Sequence, residues 1–247
     1  MKEISIIIAT YNAGKVLQRC LDSLSKQKTE DVEIIIVDGN SKDDTVEIIK
    51  RNESTVDQWL SEPDKGIYDA WNKGLKLAKG RWIMFVGADD GLLPNVLPDY
   101  VAYAKTIDDS YDLITAKAEY VDLEGKLIKI IGEPFSWDTY RYNMNISHGS
   151  TLHNKKLFEE YGGYSLDYKI CADFEFFMRK GAKIKGAFYD EVVFRFSIGG
   201  ASFSFGCQKE SFMIRKKYHT VPLIVNFAIS AKRVAGIIFR KMIYRYK

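Results

Sequence analysis

Cysteine is scarce in this chain, and its placement does not suggest a disulfide framework. The 247 residues include three cysteines, and Cys20, Cys171 and Cys207 lie far apart without a CxxC pair. An odd count at such spacing is typical of a protein in a reducing compartment. We therefore expect free thiols in the core or at the surface.

An excess of charge of one sign and an export signal are lacking as well. Lysine and arginine number 36 against 33 aspartates and glutamates, which leaves a formal net charge of +3. Nucleic-acid-binding proteins carry a stronger basic footprint, so we expect no nucleic-acid partner and favour a small anion. The first residues show no charged segment, apolar segment and cleavage site in series, which predicts a cytoplasmic protein.

Glycine-rich phosphate loops are also missing. The first apolar run, residues 4–9, leads into Ala-Thr-Tyr-Asn at 9–12 rather than GxGxxG, which argues against a dinucleotide-binding fold. A sugar-phosphate nucleotidyltransferase would need a glycine-rich basic loop here to hold a triphosphate. Asn-Ala-Gly-Lys at 12–15 is a poor substitute, so that enzyme class ranks low among the alternatives.

What the chain does have is an alternation of strand and helix patterns. Apolar runs predict buried strands at 4–9, 32–37 and 82–86, and a short strand is expected at 58–61, before a turn with proline and glycine. Apolar residues at helical spacing predict helices at 15–26, after 43, at 67–78 with Gly80 as the stop, and up to 105. Three further strand-like runs follow at 113–116, 119–122 and 127–131, the last two joined by a hairpin. The order predicts an α/β domain with a mostly parallel central sheet flanked by helices.

Polar motifs stand directly after several of these strands. They are Ala-Thr-Tyr-Asn at 9–12, Val-Asp-Gly-Asn-Ser at 37–41 and Gly-Ala-Asp-Asp at 87–90, with Ala-Asp-Phe-Glu at 172–175 further on. In an open α/β sheet the carboxyl ends of the strands form the ligand-binding edge. Together with Asp-Lys-Gly-Ile-Tyr-Asp-Ala-Trp-Asn-Lys-Gly at 64–74, these motifs resemble the inverting family-2 glycosyltransferases of the GT-A fold, in their bacterial polysaccharide branch.

The resemblance implies a binding site for a UDP-sugar donor. A carboxylate at a strand end can accept the ring N–H of uracil, and the family's aspartate with that role matches Asp38. Thr10 and Tyr11 are expected to pack against the base and ribose, with Asn12 beside them. The uracil interpretation of Asp38 favours UDP over GDP donors.

The diphosphate of such a donor needs a hard divalent cation as it departs. Asp89 matches the last aspartate of the family's DxD pattern, so we expect it to bind Mg²⁺ or Mn²⁺. Gly87 stands where the family has its first acid, which leaves Asp90 secondary or structural. The site is then expected to rely on one carboxylate.

The helix predicted after Gly66 is expected to line the sugar and phosphates. Asp69 and Asn72 project from its first turns. Lys65 is expected to pair with phosphate or with Asp89. Taken alone, each of these side chains is as typical of an ordinary protein surface as of a ligand-binding site.

The acceptor site is expected around Asp173. An inverting transfer needs a general base opposite the leaving nucleotide, and Asp173 matches the family's base, although Ala172 replaces the acid that usually precedes it. His148 is a weaker candidate for an acceptor or diphosphate contact, since a lone histidine is more often structural. Residues 199–202, Gly-Gly-Ala-Ser, resemble a lid with glycine hinges.

We expect a GT-A domain at 1–205, with a nucleotide-sugar half at 1–93 and an acceptor half at 94–205, followed by a helical tail at 206–247. Lys232 and Arg233 interrupt the apolar residues near the C-terminus, so the tail is expected to form a basic amphipathic helix rather than a membrane span. Its apolar face would comprise Ile224, Ala228, Ala231, Ala235, Ile238 and Met242. Such a helix fits an anionic membrane surface, and packing on the domain or on a second subunit is the alternative.

The sequence therefore predicts an inverting, metal-dependent transferase that moves a sugar from UDP to a hydroxyl of a glycan. A lipid-linked acceptor in capsule, exopolysaccharide or O-antigen synthesis is the family-level expectation. The non-enzyme alternative is a degenerate transferase that serves as a nucleotide-binding scaffold, suggested by Gly87 and Ala172.

Overall fold

The computed structural model describes residues 2–122, 124–197 and 204–244. The strands are β1 Ile4–Thr10, β2 Val32–Asp38, β3 Gln58–Ser61, β4 Trp82–Gly87, β5 Gly91–Leu92, β6 Leu113–Val121, β7 Leu127–Ile131, β8 Leu152–Asn154 and β9 Gly186–Ser197. The helices are α1 Leu17–Ser25, α2 Thr45–Arg51, α3 Ile67–Leu77, α4 Leu97–Thr106, α5 Trp137–Tyr140, α6 Lys155–Tyr161, α7 Ala172–Lys180, α8 Phe205–Lys217 and α9 Leu223–Tyr244. A short 3₁₀ turn, Gly181–Lys183, follows α7.

One sheet runs through the molecule in the order β3-β2-β1-β4-β8-β6-β9-β5, with β7 paired to β6. The strands β3, β2, β1 and β4 are mutually parallel, and β8 lies antiparallel between β4 and β6. Every residue of β1 and β2 is buried, because hydrophobic clusters cover both faces of the sheet. The predicted α/β architecture with its mostly parallel sheet is confirmed.

Polar residues at the amino ends of the parallel strands form hydrogen bonds within the protein. At the amino ends, Glu33 is buried and accepts hydrogen bonds from the Ser5 hydroxyl and the Lys79 amide. The Gly80 amide donates to Ser5 Oγ at 2.7 Å, and a Cβ on Gly80 would lie 2.5 Å from the Ser5 amide nitrogen. Gly80 therefore permits this close approach, whereas α3 ends earlier, at Leu77; the prediction of Gly80 as the helix stop was wrong.

The second half differs from the sequence prediction in one element. The runs predicted as two strands, 113–116 and 119–122, form the single strand β6, because β9 pairs with it over nearly its whole length despite a register shift near Lys117. The predicted hairpin between β6 and β7 is confirmed. β6 thus connects the middle of the sheet to its far edge.

The C-terminal helix docks through polar groups. In α8, Arg215 is fully buried and its Nε donates to Asn226 Oδ1 of α9 at 2.7 Å, while Nη2 donates to Ser230 Oγ at 3.1 Å. The face predicted to be apolar points outward, with Ile224 80% exposed and Ile238 47% exposed. The helix packs on the domain and still presents an apolar surface.

Two further predictions concern the same end of the chain. The predicted lid at 199–202 lies outside the described residues, and so do the side chains from 240 onward. The domain boundary at 205/206 falls at the start of α8 and stays a prediction. Within 2–122, 124–197 and 204–244, no helix is long and apolar enough to cross a membrane.

Candidate active site

Asp38 is the centre of a hydrogen-bond network at the carboxyl ends of β1, β2 and β3. Its Oδ1 accepts from the Thr10 and Ser41 hydroxyls, and its Oδ2 accepts from the Ser41 amide at 3.0 Å and the Ser61 hydroxyl at 2.6 Å. The side chain is fully buried. A carboxylate with four internal donors has no free acceptor position for uracil, so the predicted direct contact is not available in this geometry. Asp38 instead connects the end of β1, at Thr10, with the loop after β2 and the end of β3.

The loop after β1 carries one exposed and one structural residue. Tyr11 is 66% exposed, which leaves its ring free to contact a ligand. Asn12 adopts a positive φ of 48°, and its Oδ1 accepts from the Lys42 amide at 2.9 Å. Asn12 therefore connects this loop to the loop after β2, and the Tyr11 side chain extends from it into solvent.

The side chains predicted on α3 make mainly internal contacts. Asn72 forms two hydrogen bonds with the Tyr164 backbone, 2.8 Å to its carbonyl and 2.7 Å from its amide. Asp69 Oδ2 accepts from the Lys65 amide at 3.0 Å, at the start of the helix. Lys65 is exposed, and among the described residues its ammonium forms no ion pair with Asp89. The Asn72 side chain therefore connects α3 to the loop after α6.

Asp89 and Asp90 converge above Gly87 at the end of β4. A Cβ placed on Gly87 would lie 3.0 Å from Asp89 Oδ1 and 3.0 Å from Asp90 Oδ2. Gly87 thus leaves room for both carboxylates, and the expectation that the site relies on Asp89 alone stays a prediction. Two hard oxygen ligands beside an open surface fit Mg²⁺ or Mn²⁺ completed by phosphate oxygens. No group of three or more acidic, histidine or cysteine side chains in the described part of the chain would hold a metal without such help.

Asp173 occupies the first turn of α7 and lines a cavity of about 670 Å³. Its Oδ1 accepts from the Phe174 amide at 2.8 Å and lies 3.0 Å from the Tyr68 hydroxyl. No described residue donates to Oδ2. Burial raises the pKa of Asp173 to about 6, against the hydrogen bonds from Phe174 and Tyr68, which lower it. A carboxylate with one free oxygen and a pKa near neutrality suits a general base.

Tyr120 links the two acidic centres. Burial and the charges of Asp90 and Asp173 raise the pKa of its phenol to about 12. Asp90, in the turn after β4, and Asp173 of α7 therefore act on the same side chain, although more than 80 residues separate them in sequence. Tyr120 and Asp173 line one cavity, and Asp89 and Asp90 line a second one that also contains Val121, the residue after Tyr120.

His148 lines the same cavity as an uncharged group. Its ring stacks against Trp71 at a centroid distance of 5.1 Å and against Phe85 at 5.5 Å. Burial lowers its pKa to about 3, and its Nε2 lies 3.0 Å from the Tyr164 hydroxyl. A neutral ring held in this way does not supply a positive charge, so the predicted diphosphate contact finds no support here.

Two features of the cavity carried no signal in the sequence analysis. Arg233 of α9 lines it, half-buried, and its guanidinium forms no hydrogen bond or ion pair with the residues that the structure describes. Cys171 and Cys207, far apart in sequence, bring their Sγ atoms to 3.3 Å beside Asp173. Both result from the packing of α8 against α7 and of α9 against α8, which periodicity does not predict.

A known protein family matches the part of the chain that contains most of this site. The family described as "Glycosyl transferase family 2" matches residues 5–170, which include the Asp38 network and the Asp89–Asp90 pair. The chain belongs to this family. Asp173 lies just beyond the matched segment.

Relatives of the chain carry the same description. A PGL/p-HBAD biosynthesis glycosyltransferase of Mycobacterium bovis is 35% identical over 180 residues, covering 71% of this chain and 68% of the relative. An uncharacterized glycosyltransferase of Escherichia coli, YibD, is 33% identical over 121 residues, covering 48% and 34%. This chain is accordingly a glycosyltransferase.

Solved structures show that the fold is shared more widely. S. aureus TarS 1-349 in complex with UDP-GlcNAc matches with a TM-score of 0.71 at 18% identity, covering 94% of this chain and 71% of TarS. The mannosyltransferase PcManGT from Pyrobaculum calidifontis, in complex with GDP-Man and Mn²⁺, matches with a TM-score of 0.65 at 16% identity, covering 95% and 74%. These similarities place the domain among GT-A folds.

Proposed function

We propose that this glycosyltransferase moves a sugar from a UDP-sugar, with a divalent cation, to a hydroxyl of a glycan acceptor with inversion at the anomeric carbon. The observation that carries the proposal is the position of Asp173. It places a carboxylate with a raised pKa and one free oxygen in a cavity that Tyr120 also lines, and the charge of Asp90 acts on the same Tyr120. The proton acceptor, Asp173, thus lies apart from the carboxylates proposed to bind the diphosphate through a cation.

In the proposed reaction the acceptor hydroxyl lies in the cavity with its proton directed at Asp173 Oδ2. Its oxygen attacks the anomeric carbon, a new C–O bond forms, and the bond to the diphosphate oxygen breaks on the opposite face. The proton passes to Asp173, and UDP leaves with the bonding electrons. A single displacement of this kind inverts the configuration and needs no covalent enzyme intermediate.

Asp89 and Asp90 would hold the cation, since their oxygens converge where Gly87 lacks a side chain. The cation would neutralise charge on the departing diphosphate. Tyr120, whose pKa the charge of Asp90 helps to raise, lines the acceptor cavity. Support for a nucleotide donor comes from the structural neighbours, of which TarS is in complex with UDP-GlcNAc and PcManGT with GDP-Man and Mn²⁺.

We propose further that the acceptor is lipid-linked, as expected for cell-surface polysaccharide synthesis at the inner face of the cytoplasmic membrane. Helix α9 supports this, because one face supplies Arg233 and Ile237 to the cavity while Ile224, Phe227 and Phe239 are exposed on the outside. The described part of α9 contains no aspartate or glutamate. An unpaired guanidinium suits the phosphate of a lipid carrier, and an apolar, basic helix suits an anionic membrane.

Calorimetric titration of UDP and GDP, with and without Mn²⁺, tests the donor site. Wild-type protein should bind UDP in a metal-dependent manner, and Asp89→Ala should lose that dependence. Asp138→Ala is the matched control, since Asp138 is an exposed acid on α5 whose one ion pair with the described residues is a 3.6 Å contact with Arg141. Absence of nucleotide binding by the wild type would contradict the proposal. UDP binding without transfer or hydrolysis of any UDP-sugar would favour the scaffold alternative.

Sedimentation with vesicles tests the membrane contact. Wild-type protein should pellet with vesicles containing phosphatidylglycerol, and Phe227→Glu should pellet less because it places a charge on the exposed face. Met213→Glu, on the exposed part of α8, is the control. A wild type that stays in the supernatant and forms a dimer in analytical ultracentrifugation would favour a second subunit on this surface.

A further inference from the structure

The loop after β2 leaves a gap that another acidic residue fills. Gly39 follows the buried Asp38 and carries no side chain. The carboxylate of Asp64, from the turn before α3, reaches into this space, with Oδ2 at 2.5 Å from the position that a Cβ on Gly39 would take. This is about the distance between the Cβ and a carboxylate oxygen of an aspartate. The acid of Asp64 therefore lies where an aspartate at 39 would present its own.

The two oxygens of Asp64 have different surroundings. Oδ1 accepts a hydrogen bond from the Gly66 amide at 2.8 Å, which fixes the orientation of the carboxylate. Oδ2 receives no hydrogen bond from the residues that the structure describes, and Asp64 forms no ion pair with them. The residue is partly exposed. Oδ2 is thus a held but unused acceptor at the carboxyl edge of β1, β2 and β3.

An aromatic ring stands beside this acceptor. The Cδ2 atom of Tyr11 lies 3.2 Å from the same Cβ position on Gly39, and Tyr11 is 66% exposed. A charged acceptor next to an exposed ring fits a flat heterocycle that stacks on the ring and donates one N–H in its plane. Asp38 cannot act in this way because all its acceptor positions are used within the protein.

We infer that Asp64, with Tyr11, recognises the base of the donor nucleotide by accepting the N3–H of uracil at Oδ2. The inference rests on the proposed function and assigns its base specificity to a residue. Uracil offers one ring N–H between two carbonyl oxygens, which matches one free oxygen. Guanine offers two adjacent donors, and a bidentate contact would require Oδ1 to accept a second hydrogen bond beside that of the Gly66 amide, so a single N–H donor fits the site better. Cytosine has an unprotonated N3 and would face the carboxylate with a lone pair.

A change of one atom in the side chain should reverse the preference between pyrimidines. In Asp64→Asn, Oδ1 should keep the Gly66 amide and Nδ2 should face the base as a donor. We expect the affinity for UDP to fall about 10-fold or more and the affinity for CDP to rise, since N3 of cytosine accepts. Calorimetry with both nucleotides and Mn²⁺ measures the ratio. Glu62→Gln is the control, because Glu62 is an exposed acid two residues away that pairs with Lys73 at 2.8 Å.

A second measurement needs no variant. UDP methylated at N3 lacks the proton that Asp64 would accept, and wild-type protein should bind it at least 10-fold more weakly than UDP. Equal binding of the two nucleotides would overturn the assignment of Asp64 and leave the transferase proposal standing. An unchanged ratio of UDP to CDP in Asp64→Asn would do the same. A wild type that binds no nucleotide would overturn the proposed function, and the assignment with it.

Discussion

The Tyr68 hydroxyl favours the ionised form of the proposed base, against the effect of burial, and Tyr68→Phe tests this contribution. The hydroxyl lies 3.0 Å from Asp173 Oδ1 and 2.7 Å from the Ile170 carbonyl. Its single proton stabilises the carboxylate when it points to Asp173. Phenylalanine removes the donor and keeps the ring, which packs against Trp71 and Tyr164 at centroid distances of 5.5 and 5.4 Å. The change therefore removes only the hydroxyl, with its contacts to Asp173 Oδ1 and the Ile170 carbonyl.

The expected size follows from the energy of that bond. A hydrogen bond to a charged group contributes about 1.5 kcal/mol at the lower end of its range, and the shared proton favours this end. Since 1.36 kcal/mol corresponds to one pKa unit, the pKa of Asp173 should rise by about one unit above its wild-type value of about 6. A base must be ionised to act, so activity should be lost at a higher pH in the variant.

The assay is the pH profile of kcat/KM for sugar transfer, or for donor hydrolysis if no acceptor is at hand. The acid limb should lie near pH 6 in the wild type and about one unit higher in Tyr68→Phe. Tyr140→Phe is the matched control, because the Tyr140 hydroxyl lies 3.5 Å from the Asp173 backbone carbonyl and has no bond with the carboxylate. An acid limb that does not move in Tyr68→Phe, or that moves equally in both variants, would refute the reasoning.

Three further predictions concern the same site. Asp173→Asn should abolish transfer and raise the Tm at pH 7.5 but not at pH 4. Because the folded-state pKa is raised, the native protein binds the extra proton and loses stability as pH rises from about 4 to 6; equal Tm differences at both pH values would contradict this. Gly87→Ala should weaken Mn²⁺-dependent UDP binding more than metal-free binding in calorimetry, since its methyl group would crowd both carboxylates. Mild oxidation with hydrogen peroxide should join Cys171 to Cys207 with the loss of two hydrogens by mass spectrometry, whereas buried Cys20 stays a thiol; a Cys20 adduct appearing first would contradict it.

The positions of the acidic residues along the sheet could be predicted from local sequence. Short β-branched runs without charge can only be buried between two layers, and parallel strands present their carboxyl ends at one edge. Asp89 follows from this logic together with the family motif, whereas Asp173, in the first turn of α7, follows from the family motif alone. The parallel half of the sheet was therefore predicted with nearly the observed strand bounds.

The partners of those residues depended on contacts between distant segments. Asp38 is saturated by donors up to 28 residues away, and Asn72 is paired with Tyr164, 92 residues away. Whether a polar side chain faces a ligand or the protein depends on what packs above it, which no local pattern records. The same reason explains why Asp64 was not singled out, since its relation to Gly39 exists only in three dimensions.

The sequence by itself determined the layers of this protein, because the period of its apolar residues dictates which segments are strands and which faces are buried. Only the tertiary structure decided which carboxylates remain available. The acceptors of Asp38 are used within the protein, whereas Oδ2 of Asp64 and Oδ2 of Asp173 have no donor among the described residues. The orientation of α9 brings Arg233 to the wall of the cavity. Hydrogen bonds to buried groups must be satisfied within the fold, and the acceptors left over at its edge are those that a substrate can use.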